Sequence, residues 1–325
     1  MILYIHFTEP ITGLEAKIKM ISNYKELLEK AKANDMMRLA CVAAEDADSI
    51  KSLYEAEREG LAKPVLFGDK DKIAKVMAEE NITFKDAEII HCADPLESAA
   101  KAVQYVKDGK ADFIMKGLID TNYYLKAIIN KETGLPVPGQ LNHIMTFYPE
   151  GFYKKIIITA DGGMLLYPTL EQKDVMIRNA VTVARALDIS PIKVAVVCAK
   201  EKVNPKMPPT VDAAELKKRG DEGAYGSDVI VDGPMALDLP LNAECAEVKG
   251  YNSPVAGDAD ILIFPTIEAG NVFGKTNTAL FGMPCAGVVV GTTVPVILTS
   301  RADSDLSKLY SIALGSVMAN YNKKA

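Results

Sequence analysis

The sequence predicts an α/β protein of two domains, each a mostly parallel sheet with helices on both faces, and three observations support this. Short β-branched runs alternate with longer stretches of helical period, the pattern of strands joined by crossover helices. Several of those runs are apolar throughout, as strands buried on both faces must be. The length, 325 residues, exceeds the roughly 250 to 300 at which single cores stop growing.

After a helical pattern that begins at Ser22 (SNYKELLEKAKA), strands are expected at 38–44, 64–68, 88–92, 112–117, 143–148, 155–160, 193–198, 228–233, 260–265, 287–291 and 294–299. Helices are expected at 47–59, 70–80, 95–108, 119–131, 171–187, 211–219 and 271–281. A last helix follows Asp303 or Ser304 as N-cap, because Leu306, Leu309, Tyr310, Ala313, Leu314 and Val317 recur at helical spacing. The loop TGLPVPGQLN interrupts the alternation. It sets the expected boundary between a first domain, 1–142 rejoined by the helix at 303–325, and a second at 143–302. Met20 is expected to open the structured protein.

A net charge of -6 argues against a general nucleic-acid or anionic-membrane binder. Any anionic ligand must therefore be met by locally placed cations. Cys41, Cys92, Cys198, Cys245 and Cys285 form no C-x-x-C pair, and only His6, His91 and His143 could assist them, so a reduced, cytoplasmic protein without a metal site is expected. No secretory signal stands at the start, and no apolar run reaches the roughly 18 residues of a membrane helix.

Three segments could carry chemistry. In VPVILTSRADSD a buried-type strand ends at Thr299 and a helix opens near Asp303 and Asp305, with Ser300 and Arg301 between them. Backbone N–H groups and the helix dipole converge at such a junction, and an arginine fork adds donors suited to phosphate. An ordinary polar loop with aspartate caps is the alternative there. In DFIMKGLIDTNYYLKAI, Lys116, Thr121 and Lys126 fall at or after a strand C-terminus, where open parallel sheets bind ligands. In AGNVFGKT, Gly274, Lys275 and Thr276 match the end of a nucleotide phosphate loop, but Ala269 occupies the first glycine position. That leaves a nucleotide hydrolase as a rival, with Asp161 as a conceivable magnesium ligand, and a nonenzymatic scaffold as a third reading. His143, alone beside an apolar strand, reads as a hydrogen-bonded structural residue.

Taken in order, RLACVAAEDADSI, KPVLFGDKDKI, ADFIMKGLIDT, IITADGGM, LEQK, GSDVIVDGPMALD, ADILIFPTIEAGNVFGKT and VPVILTSRADS resemble the phosphate acetyl/butyryl transferase family. The resemblance implies two domains like those of isocitrate and isopropylmalate dehydrogenases, a homodimer or larger homo-oligomer, and a cleft active site. It also implies transfer of a short acyl group, butyryl or branched in preference to acetyl, between coenzyme A and inorganic phosphate. Coenzyme A would be a co-substrate, with no permanent cofactor, metal or covalent acyl-enzyme. Ser300 and Arg301 would be catalytic, with Asp303 or Asp305 replacing an acid that acetyl-specific relatives carry where this chain has Ser307. Lys116, Thr121, Lys126, Asn271 and Lys275 would bind substrate, with AGNVFGKT as a cleft loop. Gly162 and Gly163 depart from the alanines common in butyryl-transferring members.

Overall fold

The computed structural model describes residues 20–136, 139–299 and 303–324, and every expected strand and helix forms, with shifts at the ends. In chain order these are α1 (Tyr24–Ala33), β1 (Met37–Val42), α2 (Ala47–Arg58), β2 (Ala62–Gly68), α3 (Lys70–Glu79), β3 (Glu88–His91), α4 (Pro95–Lys107), β4 (Phe113–Lys116) and α5 (Thr121–Ile129). Next come β5 (Asn142–Phe147), β6 (Ile157–Ala160), α6 (Leu170–Ala186), β7 (Ile192–Val197), α7 (Pro208–Asp221) and β8 (Val229–Met235). The short helices α8 (Asp238–Leu241) and α9 (Ala243–Val248), unexpected because neither is long enough to show a period, lead to β9 (Ile261–Ile263). Then follow α10 (Ile267–Lys275), a π-helical turn (Thr276–Leu280), β10 (Cys285–Val290), β11 (Val296–Ile297) and α11 (Asp305–Lys324).

Local chemistry fixes the helix starts. Asn23, Asp46, Asp69, Asp94, Asp120 and Thr266 each accept a backbone N–H from the first turn of the helix they precede. Thr169 and Gln172 close a reciprocal capping box on α6. Ser304 accepts the Ser307 N–H at 3.2 Å and so caps α11, one of the two residues expected there.

The strands form one sheet in the order β3-β2-β1-β4-β11-β10-β5-β6-β9-β7-β8. Pairing is parallel on both flanks, and antiparallel contacts are confined to the centre, at β10–β11, β5–β10 and β5–β6. Alternate residues of β1 feed two cores. Leu39 and Cys41 join Leu27, Ile50, Leu53 and Ile312 on one face, while Ala40 and Val42 join Ala99, Val103, Tyr124 and Ile128 on the other. On the far flank, Val194 and Ile261 extend the first of these cores, and Ala195 and Leu262 enter a third with Met235 and Phe264. The all-apolar runs thus correspond to strands covered on both faces.

Candidate active site

The central strands of the sheet open onto a cleft of about 260 Å³. Its walls come from the start of α5 (Thr121), from β5 (His143, Met145), from the turn after β6 (Gly162, Gly163) and from α10 (Gly270, Asn271, Gly274, Lys275). Thr278 of the π turn, Cys285 and Gly287 of β10, Leu298 and Thr299 after β11, and Asp303 complete it.

One carboxylate organises the floor. Asp161 is buried; its Oδ2 accepts the His143 N–H at 2.7 Å, and its Oδ1 accepts the N–H groups of Gly163 and Met164 at 2.6 and 2.8 Å. Three charge-assisted bonds pin the turn and the entry to β5 together, so Asp161 is structural and not a magnesium ligand. Against that turn, α10 packs backbone on backbone: a Cβ on Gly270 would stand 2.3 Å from the Asp161 carbonyl oxygen. Asn271 Nδ2 donates to the Gly162 carbonyl at 3.1 Å and ties the helix to the same turn.

Four of the expected site residues meet here: Thr121, Asn271, Lys275 and Asp303. Lys116 is buried beside the cleft, with Thr299 as a shared wall, and its ammonium donates to the carbonyls of Gly117 and Ile119 at 3.2 and 3.1 Å. Lys126 is exposed on α5, its Nζ 5.9 Å from the centre of the Tyr123 ring, and is not among the cleft walls. Asp305 is the exposed first residue of α11, also outside the walls, which leaves Asp303 as the nearer acid. Ser300 and Arg301 lie outside the described residues.

Ser307, where the resemblance implies an acid in acetyl-specific relatives, is buried, and its Oγ accepts the Cys285 N–H at 3.0 Å. It fastens α11 to β10. Burial, reinforced by the Asp303 carboxylate, pushes the Cys285 thiol up to about 11, so it stays protonated at neutral pH and is a poor nucleophile.

Two expectations need correction. AGNVFGKT is not a loop: Ala269 to Lys275 are helical in α10, and Thr276 continues into the π turn. A nucleotide phosphate loop needs its glycines between strand and helix, presenting free N–H groups, so the hydrolase reading loses its basis. His143, expected to be a hydrogen-bonded structural residue, lines the cleft instead, and neither ring nitrogen has a hydrogen-bond partner among the described residues. Leaving such groups unpaired costs about 1–3 kcal/mol each. Burial outweighs the Asp161 and Asp303 carboxylates and holds the imidazole below its ordinary value, hence neutral near pH 7. No local pattern marks His143, because the residues that surround it, Gly163 and Gly287, are distant in sequence.

Among the described residues, this α/β scaffold carries a glycine-walled cleft with Lys275, Asp303 and a protonated Cys285 thiol on its walls, the setting of an enzyme site. Residues 95–316 match the family described as phosphate acetyl/butaryl transferase. The chain is 40% identical to phosphate butyryltransferase of Clostridium acetobutylicum, an alignment covering 92% of this chain and 99% of the relative. It is 43% identical to phosphate acetyltransferase of Thermotoga maritima, over 91% and 99%. A solved branched-chain phosphotransacylase from Enterococcus faecalis superposes with a TM-score of 0.75 at 29% identity, over 87% of this chain and 99% of that one. The chain belongs to the phosphate acetyl/butaryl transferase family and is an acyltransferase.

Proposed function

We propose that the chain transfers a butyryl or branched short-chain acyl group between coenzyme A and inorganic phosphate. The observation that carries this reading is the gathering of Thr121, Asn271, Lys275 and Asp303 around one cleft, with Ser300 and Arg301 directly following the cleft residue Thr299 in the chain. Gly162, Gly163, Gly270, Gly274 and Gly287 contribute no side chain to that cleft, while Met145 and Leu298 give it apolar surface. This favours an acyl chain longer than acetyl; acetyl transfer is the second reading, favoured by the Thermotoga maritima relative.

In this reaction a phosphate oxygen attacks the thioester carbonyl, a tetrahedral oxyanion forms, and the sulfur leaves. Arg301 binds the phosphate and offsets the developing charge. Ser300 hydrogen-bonds the thiol or the reacting carbonyl, and Lys275 and Asn271 hold the phosphate-bearing substrates. Coenzyme A acts as co-substrate, and neither a metal nor a permanent cofactor has a role. The same reading includes a cytoplasmic homodimer or larger homo-oligomer, and two dehydrogenase-like units divided at 142/143 with the last helix on the first.

Incubating the protein with phosphate and acyl-CoAs of two to five carbons, while following thiol release, tests the reading. Release fastest with butyryl or a branched acyl is expected. Absence of release with every donor would overturn it. Arg301→Ala should lower turnover by about 10²-fold or more, and an unchanged rate would remove Arg301 from the site.

A further inference from the structure

We propose that His143 is the proton-transfer residue of the cleft, relaying a proton between the phosphate hydroxyl and the coenzyme A sulfur. The inference rests on the acyl-transfer reading above. Its starting point is the imidazole itself, which lines the cleft beside Asp303, while Ser307 is committed to holding β10 against α11.

The imidazole sits between two glycines of neighbouring strands and turns. A Cβ on Gly163 would stand 2.6 Å from Nδ1, and one on Gly287 would stand 3.2 Å from Nε2. Any larger residue at Gly163 would collide with the ring. Both nitrogens are buried and without a hydrogen-bond partner among the described residues, although the ring is one of the cleft walls. Neither glycine sets a side chain against the ring, whose terminal torsion is broad and nearly two-fold. A turn about that torsion, which is part of the proposal, presents a nitrogen to bound substrate, since catalytic hydrogen bonds characteristically tighten only with substrate bound. The Asp161 bond to the His143 N–H holds the backbone of β5 at this point.

The step balances without another reactant. Neutral His143 takes the proton of hydrogen phosphate as its oxygen bonds to the carbonyl carbon. The C–S bond breaks, the sulfur keeps the electron pair, and the imidazolium returns the proton to it. In reverse, His143 takes the thiol proton and the thiolate attacks the acyl phosphate. A free thiol titrates near 8.5, so few coenzyme A molecules are thiolates at neutral pH and a base is needed. Among the described residues, the titratable groups sharing the walls with His143 are Asp303, Lys275 and Cys285, with Asp161 beneath. Cys285 is held protonated; burial lowers the His143 imidazole below its ordinary value and keeps it neutral, while the two carboxylates partly offset that and favour the imidazolium once formed.

The test uses the full chain and steady-state rates in both directions with butyryl-CoA plus phosphate and butyryl phosphate plus coenzyme A. His143→Gln should lower kcat by about 10²- to 10⁴-fold, with KM for coenzyme A changed less than about threefold. It should also abolish an acid limb that the unsubstituted protein shows on the acid side of the ordinary imidazole value of about 6.5, because burial lowers the ring. His143→Ala should regain rate when imidazole is added, which a structural histidine would not show. Gly163→Ala, which crowds the ring without removing it, should reduce kcat with little change in KM. An unaltered pH profile in His143→Gln overturns the proposal, as does a loss confined to KM or to thermal stability, or an unfolded product from both His143→Gln and Gly163→Ala. Lack of thiol release by the unsubstituted protein would instead overturn the acyl-transfer reading itself.

Discussion

Lys275 closes α10 one turn after Asn271, so the two side chains share the face of the helix that borders the cleft. As an exposed ammonium on a cleft rim built mostly of small residues and shared with Asp303, it is suited to gripping a phosphate oxygen of substrate. Lys275→Ala should raise KM for phosphate or for acyl-CoA by about 10- to 100-fold, the equivalent of one charge-assisted hydrogen bond of about 1.5–3 kcal/mol. Initial-rate measurements with each substrate varied in turn check this, and unchanged constants would place Lys275 in solvent. Residues of this kind were legible because strand ends and helix starts converge where ligands bind. Lys116 and Lys126 share that sequence context, but side-chain direction is invisible in it. One ammonium bends back onto its own loop carbonyls, and the other lies over a tyrosine ring. His143 was illegible for a further reason: its surroundings are made by two glycines that the sheet brings together from separate elements.

Among the elements, α10 shows how close packing decides what a glycine does. Gly270 precedes the helix expected at 271–281 and Gly274 lies within it, yet both are helical, because the helix starts four residues before the expected position, where Thr266 caps it. Contact with the Asp161–Gly162 backbone explains the first glycine, since a Cβ there would stand 2.3 Å from a carbonyl oxygen that cannot yield. A Cβ on Gly274 would instead meet Met145 Sδ and Phe147 Cζ at 3.7 Å, ordinary contact. Gly270→Ala should therefore destabilise the fold by about 1–3 kcal/mol, as overpacking does. Gly274→Ala should be neutral or stabilising by up to about 1 kcal/mol, the helix propensity difference. Denaturant midpoints for the pair test the argument; equal shifts would refute it. Because Asn271 holds the same turn from the same helix, the first substitution should also depress activity.

Across the whole molecule, the sequence made each strand visible but not the order in which strands pair. β10 and β11, last in the chain, insert at the centre between β4 and β5, and the antiparallel pairs there reverse the sheet's direction. Such long-range pairing leaves no periodic trace, because each strand carries the same apolar pattern wherever it lies. The insertion has a thermodynamic consequence. One buried core runs from Leu27 and Leu39 through Ile144 and Ala286 to Ile177 and Val194, and α11 packs on α1, α2 and β10 while also touching α6. The sheet and this core continue across the proposed boundary at 142/143, so the two units share them, and the cleft draws walls from both sides of residue 142. Heating should therefore produce one cooperative transition, although chains of this length and proteins with separable domains usually depart from two-state behaviour. Calorimetry should give a total enthalpy on the order of 0.7 kcal/mol per residue near 60 °C and a van't Hoff enthalpy matching it. Coenzyme A at 100 times its Kd should move the whole transition upward, by a stabilisation of about 2.7 kcal/mol. Two resolved transitions, of which coenzyme A shifts only one, would mean that the halves unfold independently and that the continuous sheet does not couple them.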